Sequence, residues 1–180
     1  MWNLLTLDGY FEGPKNWGLD WHEYVWDDEL ERLAIEQLRA ADLLLFGRVT
    51  YEGMAAHWPT AHGEVADFMN TLPKLVFSRT LVNPAWANTT PVKENAVAVV
   101  LKLKQQGNGN MLVFGSAKLS TSFMDAGLFD EYRLAITPVV LGSGNPLFGR
   151  SLSRQRLKLL ESRPLSSGCV ILRYAPGLSQ

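Results

Sequence analysis

An apolar run that ends abruptly in small residues and continues as a helix constrains this chain more than any other feature. Residues 111–114 (Met, Leu, Val, Phe) have the length of a buried strand. Gly115, Ser116 and Ala117 follow, then a helix-like stretch over 118–126 closed by Gly127. A second strand is predicted over 132–140, and Leu141-Gly142-Ser143-Gly144 turns the chain after it. A strand feeding such a turn points backbone N–H groups with no intrahelical partner at one spot. The helix dipole favours negative charge there, and small residues allow close approach, so the arrangement suits a phosphate. The plainer alternative is a tight strand-to-helix turn with no ligand.

The same junction recurs upstream. Residues 43–46 read as a buried strand running into Gly47-Arg48-Val49-Thr50 and a helix over 50–57. Arg48 and Thr50 fall in its first turn, where both can reach an anion; a surface ion pair and a helix cap are their plainer roles. Residues 74–77 form a third apolar strand ending in Ser78-Arg79-Thr80. Further helices are predicted over 27–40, opened by Asp27, Asp28 and Glu29, and over 64–70 and 94–105. Strands at 1–7, 157–160 and 170–174 complete the set. Alternating strands and helices followed by strands predict an α/β fold, a mostly parallel mixed sheet flanked by helices with an antiparallel C-terminal edge. Ligands bind such sheets outside the carboxyl ends of the strands. If the three strands are parallel neighbours, two arginines, several hydroxyls and two helix N-termini share one rim, which suits a dinucleotide.

With 180 residues the chain is expected to be a single domain over 1–180. A net charge of −1 without basic or acidic blocks gives no support to nucleic-acid or anionic-membrane binding. No signal peptide and no apolar run of spanning length is visible, so a cytoplasmic location is expected. Cys169 lies alone in an apolar run and reads as an inert buried thiol; no metal site is expected. His22, His57 and His62 are scattered and no nucleophile elbow is present, so hydrolase chemistry has no support. Four of the six tryptophans (Trp2, Trp17, Trp21, Trp26) lie in the first 26 residues. Residues 12–23 read as a loop with aromatic anchors, expected to wall a pocket or an oligomer contact as well as to fill core.

The motifs in order resemble a known superfamily. Leu-Phe-Gly-Arg-Val-Thr-Tyr-Glu (45–52) and Leu-Val-Phe-Ser-Arg-Thr-Leu (75–81) resemble two cofactor-binding turns of dihydrofolate reductases. Val-Phe-Gly-Ser-Ala-Lys-Leu (113–119), the segment from Ala126 to Leu134 and the segment from Pro138 to Phe148 are similar to the C-terminal reductase domain of bifunctional riboflavin-biosynthesis enzymes and their stand-alone relatives. Thr-Leu-Asp-Gly-Tyr-Phe-Glu-Gly-Pro (6–14) is similar to that family's N-terminal signature. The resemblance implies a sheet of about eight strands, NADPH as hydride donor, a small heterocyclic or carbonyl-type substrate of the pyrimidine class, and a homodimer, with apolar residues at 134–140 as candidates for the contact. By the same resemblance Gly47, Arg48 and Thr50 hold the pyrophosphate and 2′-phosphate region, Ser78 and Arg79 flank the 2′-phosphate, and Gly115, Ser116, Ala117, Lys118 and Leu119 wrap the pyrophosphate. Dihydrofolate reductases carry paired glycines where this chain has Gly115-Ser116. On the substrate side Asp8 is the candidate catalytic group, with Trp17, Trp21 and Asp27 as substrate contacts. For Asp27 the plainer role is a helix cap, and for Asp8 a turn residue bonding its own backbone. A non-catalytic nucleotide-binding or regulatory protein on the same fold is the alternative.

Overall fold

The computed structural model describes residues 1–107, 109–149 and 153–177. Strand β1 (Trp2–Leu5) leads to β2 (Tyr10–Glu12), a short 3-10 helix (Asp20–Tyr24) and α1 (Asp28–Arg39). Three strand–helix steps follow. They are β3 (Leu43–Gly47) with α2 (Arg48–His57) and α3 (Glu64–Thr71), then β4 (Lys74–Phe77) and β5 (Thr89–Val92) with α4 (Ala96–Gln105), then β6 (Met111–Val113) with α5 (Ala117–Asp125). The chain ends in β7 (Tyr132–Ile136), β8 (Asn145–Pro146), β9 (Leu157–Pro164) and β10 (Val170–Pro176).

Two four-stranded sheets, ordered β5-β4-β3-β6 and β1-β7-β10-β9, are joined by a parallel bridge between Trp2 and Phe114. The result is one sheet of eight strands in which β10 alone runs against its neighbours. A separate ribbon pairs β2 with β8. Alternating side chains of the buried strands serve two cores. Leu44 and Phe46 face α1, α2 and α3, meeting Leu30, Leu38, Tyr51 and Met69. Leu45 and Val113 face α4 and α5, meeting Val100, Phe123 and Met124. Among the described residues no helix is long and apolar enough to cross a membrane.

Several expectations change for physical reasons. Residues 12–23 are not wholly irregular, because the 3-10 helix begins at Asp20. Residues 89–92 form β5, a strand not predicted from the sequence; it tolerates Pro91 because it is an edge strand. The strand predicted over 132–140 stops at Ile136, just ahead of Pro138. Leu134 and Ala135 are buried between β1 and β10, so of the apolar residues expected to face a partner Val140 stands out as exposed, at 67%. The long edge strand β9 instead leaves Leu157, Leu159 and Leu160 exposed. Lys74, the first residue of the apolar strand β4, is wholly buried. Its ammonium donates to the carbonyls of Leu72 (2.6 Å), Ala87 (3.2 Å) and Asn70 (3.4 Å) and lies 4.5 Å over the Trp86 ring.

Candidate functional site

Strands β4, β3 and β6 are parallel neighbours in that order, so the three turns singled out in the sequence lie side by side on one rim. Gly47 ends β3 and is also the residue from which α2 starts, slightly earlier than the sequence predicts. Gly115 and Ser116 both adopt left-handed backbone (φ 51° and 53°), and Ser116 leads into α5. Helices α1 and α4 have their first turns closed by the side chains of Asp27 and Asn95, whereas α2 and α5 have no side-chain cap. Their first-turn N–H groups, including those of Ala117, Lys118 and Leu119, have no intrahelical acceptor and are directed at the rim.

Ser116, the departure from paired glycines, has a definite job. Its Oγ accepts from the Gly47 N–H at 3.0 Å, and its own N–H donates to Thr50 Oγ1 at 3.0 Å. The serine therefore ties the two helix N-termini together, and these bonds hold a left-handed conformation that a non-glycine residue adopts at a cost. The Gly115 N–H donates to Asn3 Oδ1 at 2.6 Å, and a Cβ on Gly115 would sit 3.4 Å from the Thr50 methyl and 3.7 Å from the Phe11 ring. Asn3 is a site residue that sequence reasoning missed. A lone polar residue on a buried strand was its only signal.

Around this knot stand the cations. Arg48 is half exposed and pairs with Glu52 one turn along its own helix (Nη1 to both oxygens, 2.8 and 3.0 Å), which is the plainer role weighed for it. Arg79 and Lys118 are exposed and make no ion pair among the described residues. Ser78 Oγ accepts from the N–H groups of Thr80 (3.2 Å) and Leu81 (3.0 Å), shaping the turn that presents Arg79.

On the other side of β6 lies β1, then β7, and the segments leaving their carboxyl ends form the second half of the rim. Asp8 accepts from Thr6 Oγ1 (2.6 Å) and from the N–H groups of Gly142 (2.8 Å) and Leu141 (3.3 Å). Those bonds hold its carboxyl below the usual range, the Thr6 hydroxyl most of all. Asp8 is thus an ionised latch between two loops and has no proton to donate at neutral pH. Asp27 caps α1 through the N–H groups of Leu30 (2.8 Å) and Glu29 (3.1 Å), and its second oxygen accepts from Ser166; the simpler of its two roles is the one seen. Trp21 is 1% exposed, so it backs the loop from within and offers no open face for a substrate to stack on. Trp17 is different. It has left-handed backbone (φ 62°), is 37% exposed, and its ring occupies the space a side chain on Gly53 of α2 would need. Buried Glu12 holds this loop, accepting from the Trp17 N–H with one oxygen and from Asn145 Nδ2 (2.6 Å) with the other. His22, edge-on to Trp21, is pushed down to about 4 by burial and is neutral near pH 7. Two cavities of about 310 and 340 Å³ open elsewhere, by the amino ends of β1 and β7, where Glu131 pairs with Arg133 and Arg173.

An eight-stranded sheet of this order, with two uncapped helix N-termini laced together at its rim, defines a dihydrofolate reductase-like α/β domain. Within that class the chain belongs to the RibD C-terminal domain family, whose sequence profile matches residues 2–171. The Bacillus subtilis protein YyaP, uncharacterised, is 34% identical over 175 residues, covering 94% of this chain and 90% of its own. A Shewanella sp. PV-4 structure assigned by name to riboflavin biosynthesis superposes with a TM-score of 0.79 at 22% identity, covering 98% and 97% of the two chains. A Thermotoga maritima diaminohydroxyphosphoribosylaminopyrimidine deaminase/5-amino-6-(5-phosphoribosylamino)uracil reductase superposes with a TM-score of 0.69 at 14% identity, over 98% of this chain and 55% of that one. These structural likenesses establish the fold.

Proposed function

We propose that the protein is an NADPH-dependent reductase of a small heterocyclic or carbonyl-type substrate. The observation that carries this reading is the convergence of the uncapped N-termini of α2 and α5 on adjacent parallel strands, with Arg48, Arg79 and Lys118 beside them. The first-turn N–H groups of Ala117, Lys118 and Leu119 serve the pyrophosphate, with Gly47 and Gly115 allowing its approach. The Gly47–Ser116–Thr50 bonds keep the two N-termini in register, and Arg48 and Arg79, with Ser78 shaping the turn, take the 2′-phosphate. Bound NADPH supplies the hydride; the chain's residues hold and orient it. Asp8 acts by position, fixing the Leu141–Gly142 turn beside the substrate. Trp17 presents the ring on which a flat substrate stacks. A homodimer through the exposed leucines of β9 belongs to the same proposal.

Retention of the fold as a nucleotide-binding regulator is the competing reading. It draws on one observation: neither Asp8 nor His22 is placed or poised to donate a proton at neutral pH. Turnover separates the two. Loss of NADPH absorbance with a panel of pterins, pyrimidines and quinones is expected of the reductase. Stabilisation by NADPH with no oxidation on any acceptor is the result that selects the regulator.

A further inference from the structure

The two halves of the rim carry opposite charge. On the cofactor half, the segments leaving β3, β4 and β6 hold Arg48, Arg79 and Lys118 against Glu52. On the other half, residues 6–28 and 137–149 hold Asp8, Glu12, Asp20, Glu23, Asp27 and Asp28 against Lys15 alone. None of those six carboxylates is in an ion pair among the described residues; the bonds that Asp8, Glu12 and Asp27 make are to uncharged donors, which leave their field in place. The same segments expose Leu7, Trp17, Tyr24, Trp26, Val140 and Phe148, an apolar concentration at odds with a solvated loop face. Leu7 and Val139 are joined backbone to backbone at 2.8 Å, so the loops that carry Leu7 and Val140 are neighbours. The buried polar atoms without a partner in these segments are Trp21 Nε1, His22 Nε2 and Thr137 Oγ1, none of them a fixed charge.

We infer that the reductase substrate is a flat, apolar-faced carbonyl or heterocycle that is uncharged or cationic, and that phosphorylated substrates are rejected. The inference rests on the NADPH reading of the rim and narrows it. A sugar phosphate arriving at residues 6–28 meets net negative charge and a single lysine, where phosphate recognition calls for arginine forks or free backbone N–H groups. A neutral ring meets aromatic faces. Hydride from NADPH and a proton from solvent convert C=O or C=N to the alcohol or amine, or a quinone to its hydroquinone, leaving NADP⁺. The charge division also keeps the parts of the site distinct, since the phosphates of NADPH are drawn to one half and repelled from the other.

The test uses matched pairs on the whole chain: menadione against its sulfonate, and a ribosylated aminopyrimidine against its sugar phosphate, at saturating NADPH. The uncharged member of each pair is expected to be favoured at least tenfold in kcat/KM at low salt. The gap should narrow on going from about 0.02 to about 0.3 M salt, as screening shortens the reach of surface charge. The double substitution Asp20→Lys with Glu23→Lys, at exposed positions, should narrow it severalfold while leaving menadione turnover in place as the check on folding. Preference for the phosphorylated member, or a ratio indifferent to salt and to the double substitution, overturns the inference. So does NADPH binding without turnover of either uncharged compound. Absence of any NADPH-dependent rise in the unfolding midpoint fails the cofactor reading instead, and the two failures are told apart by that melt.

Discussion

In the proposed NADPH site Glu52 restrains Arg48, and removing its charge should strengthen binding. Arg48 Nη1 lies 2.8 and 3.0 Å from the two Glu52 oxygens, with side chains 46% and 49% exposed. An exposed i,i+4 pair contributes about 0.3–0.5 kcal/mol, so Glu52→Gln should cost no more than about 0.5 kcal/mol of stability. At roughly 2–4 °C per kcal/mol for a chain of this size, the unfolding midpoint moves by about 1–2 °C. The effect on the ligand has the opposite sign. Two unit charges 4 Å apart interact by about 1 kcal/mol in water, and by about half that at twice the distance. A doubly charged 2′-phosphate near Arg48 is therefore relieved of about 1 kcal/mol of repulsion, somewhat less after salt screening. NADPH should bind about two- to fivefold tighter to the variant, and NADH less than twofold. Fluorescence titration with both cofactors at low and high salt, beside a thermal melt, reads all of this. Equal tightening for NADH, or weaker NADPH binding, would refute the reasoning, the latter by showing that Glu52 holds Arg48 in its working pose.

Other perturbations follow from the same geometry. Asn3→Leu removes the acceptor of the Gly115 N–H inside the sheet; about 1–3 kcal/mol of stability should be lost and NADPH affinity should drop with it, as denaturant titration and cofactor titration would show. Lys74→Met keeps the length of the side chain but strands the carbonyls of Leu72, Ala87 and Asn70, and about 2–4 kcal/mol should go in a urea melt; a neutral result would mean that water replaces the ammonium. His22 stays neutral in the folded chain down to about pH 4, whereas the unfolded chain protonates it near 6.5. The unfolded state then binds the extra proton, so stability falls as pH drops from about 6.5 towards 4, by at most about 3 kcal/mol. His22→Gln should flatten that limb, and an unchanged slope would assign acid sensitivity elsewhere.

How far the sequence carried depended on the range of the interactions involved. The strand–small residue–helix junctions at Gly47 and Gly115 and the strand end at Ser78-Arg79 are local, and reading the three together made a shared rim the expectation for parallel neighbouring strands. Parallel neighbours β4, β3 and β6 turned that expectation into geometry. What was not legible was held by distant partners. The contact of Ser116 with Gly47 spans 69 residues, and that of Asn3 with Gly115 spans 112; no window along the chain contains either pair. The burial of Lys74 was not legible because the carbonyls that enclose it come from a loop 13 residues on as well as from its own neighbours. Trp21 and Trp17 have the same composition signal, yet one is enclosed and the other stands open against Gly53, a difference made by packing alone. Asp8 and Asp27 entered as substrate-side candidates through the family resemblance, yet one stands at a turn and the other at a helix start. Turns supply unpaired N–H groups, and those are what the two carboxylates hold.

The central claim, that the rim formed by β3, β4 and β6 binds a phosphorylated nicotinamide dinucleotide, is tested most directly by thermal unfolding over a concentration series of NADPH and, separately, NADH. A ligand bound only to the folded state adds about 2.7 kcal/mol at a hundred times its Kd, which for this chain is roughly 5–10 °C. The account predicts a midpoint that climbs with the logarithm of NADPH concentration and climbs much less with NADH. An unmoved midpoint with both would contradict it and leave the laced helix N-termini as a purely structural knot.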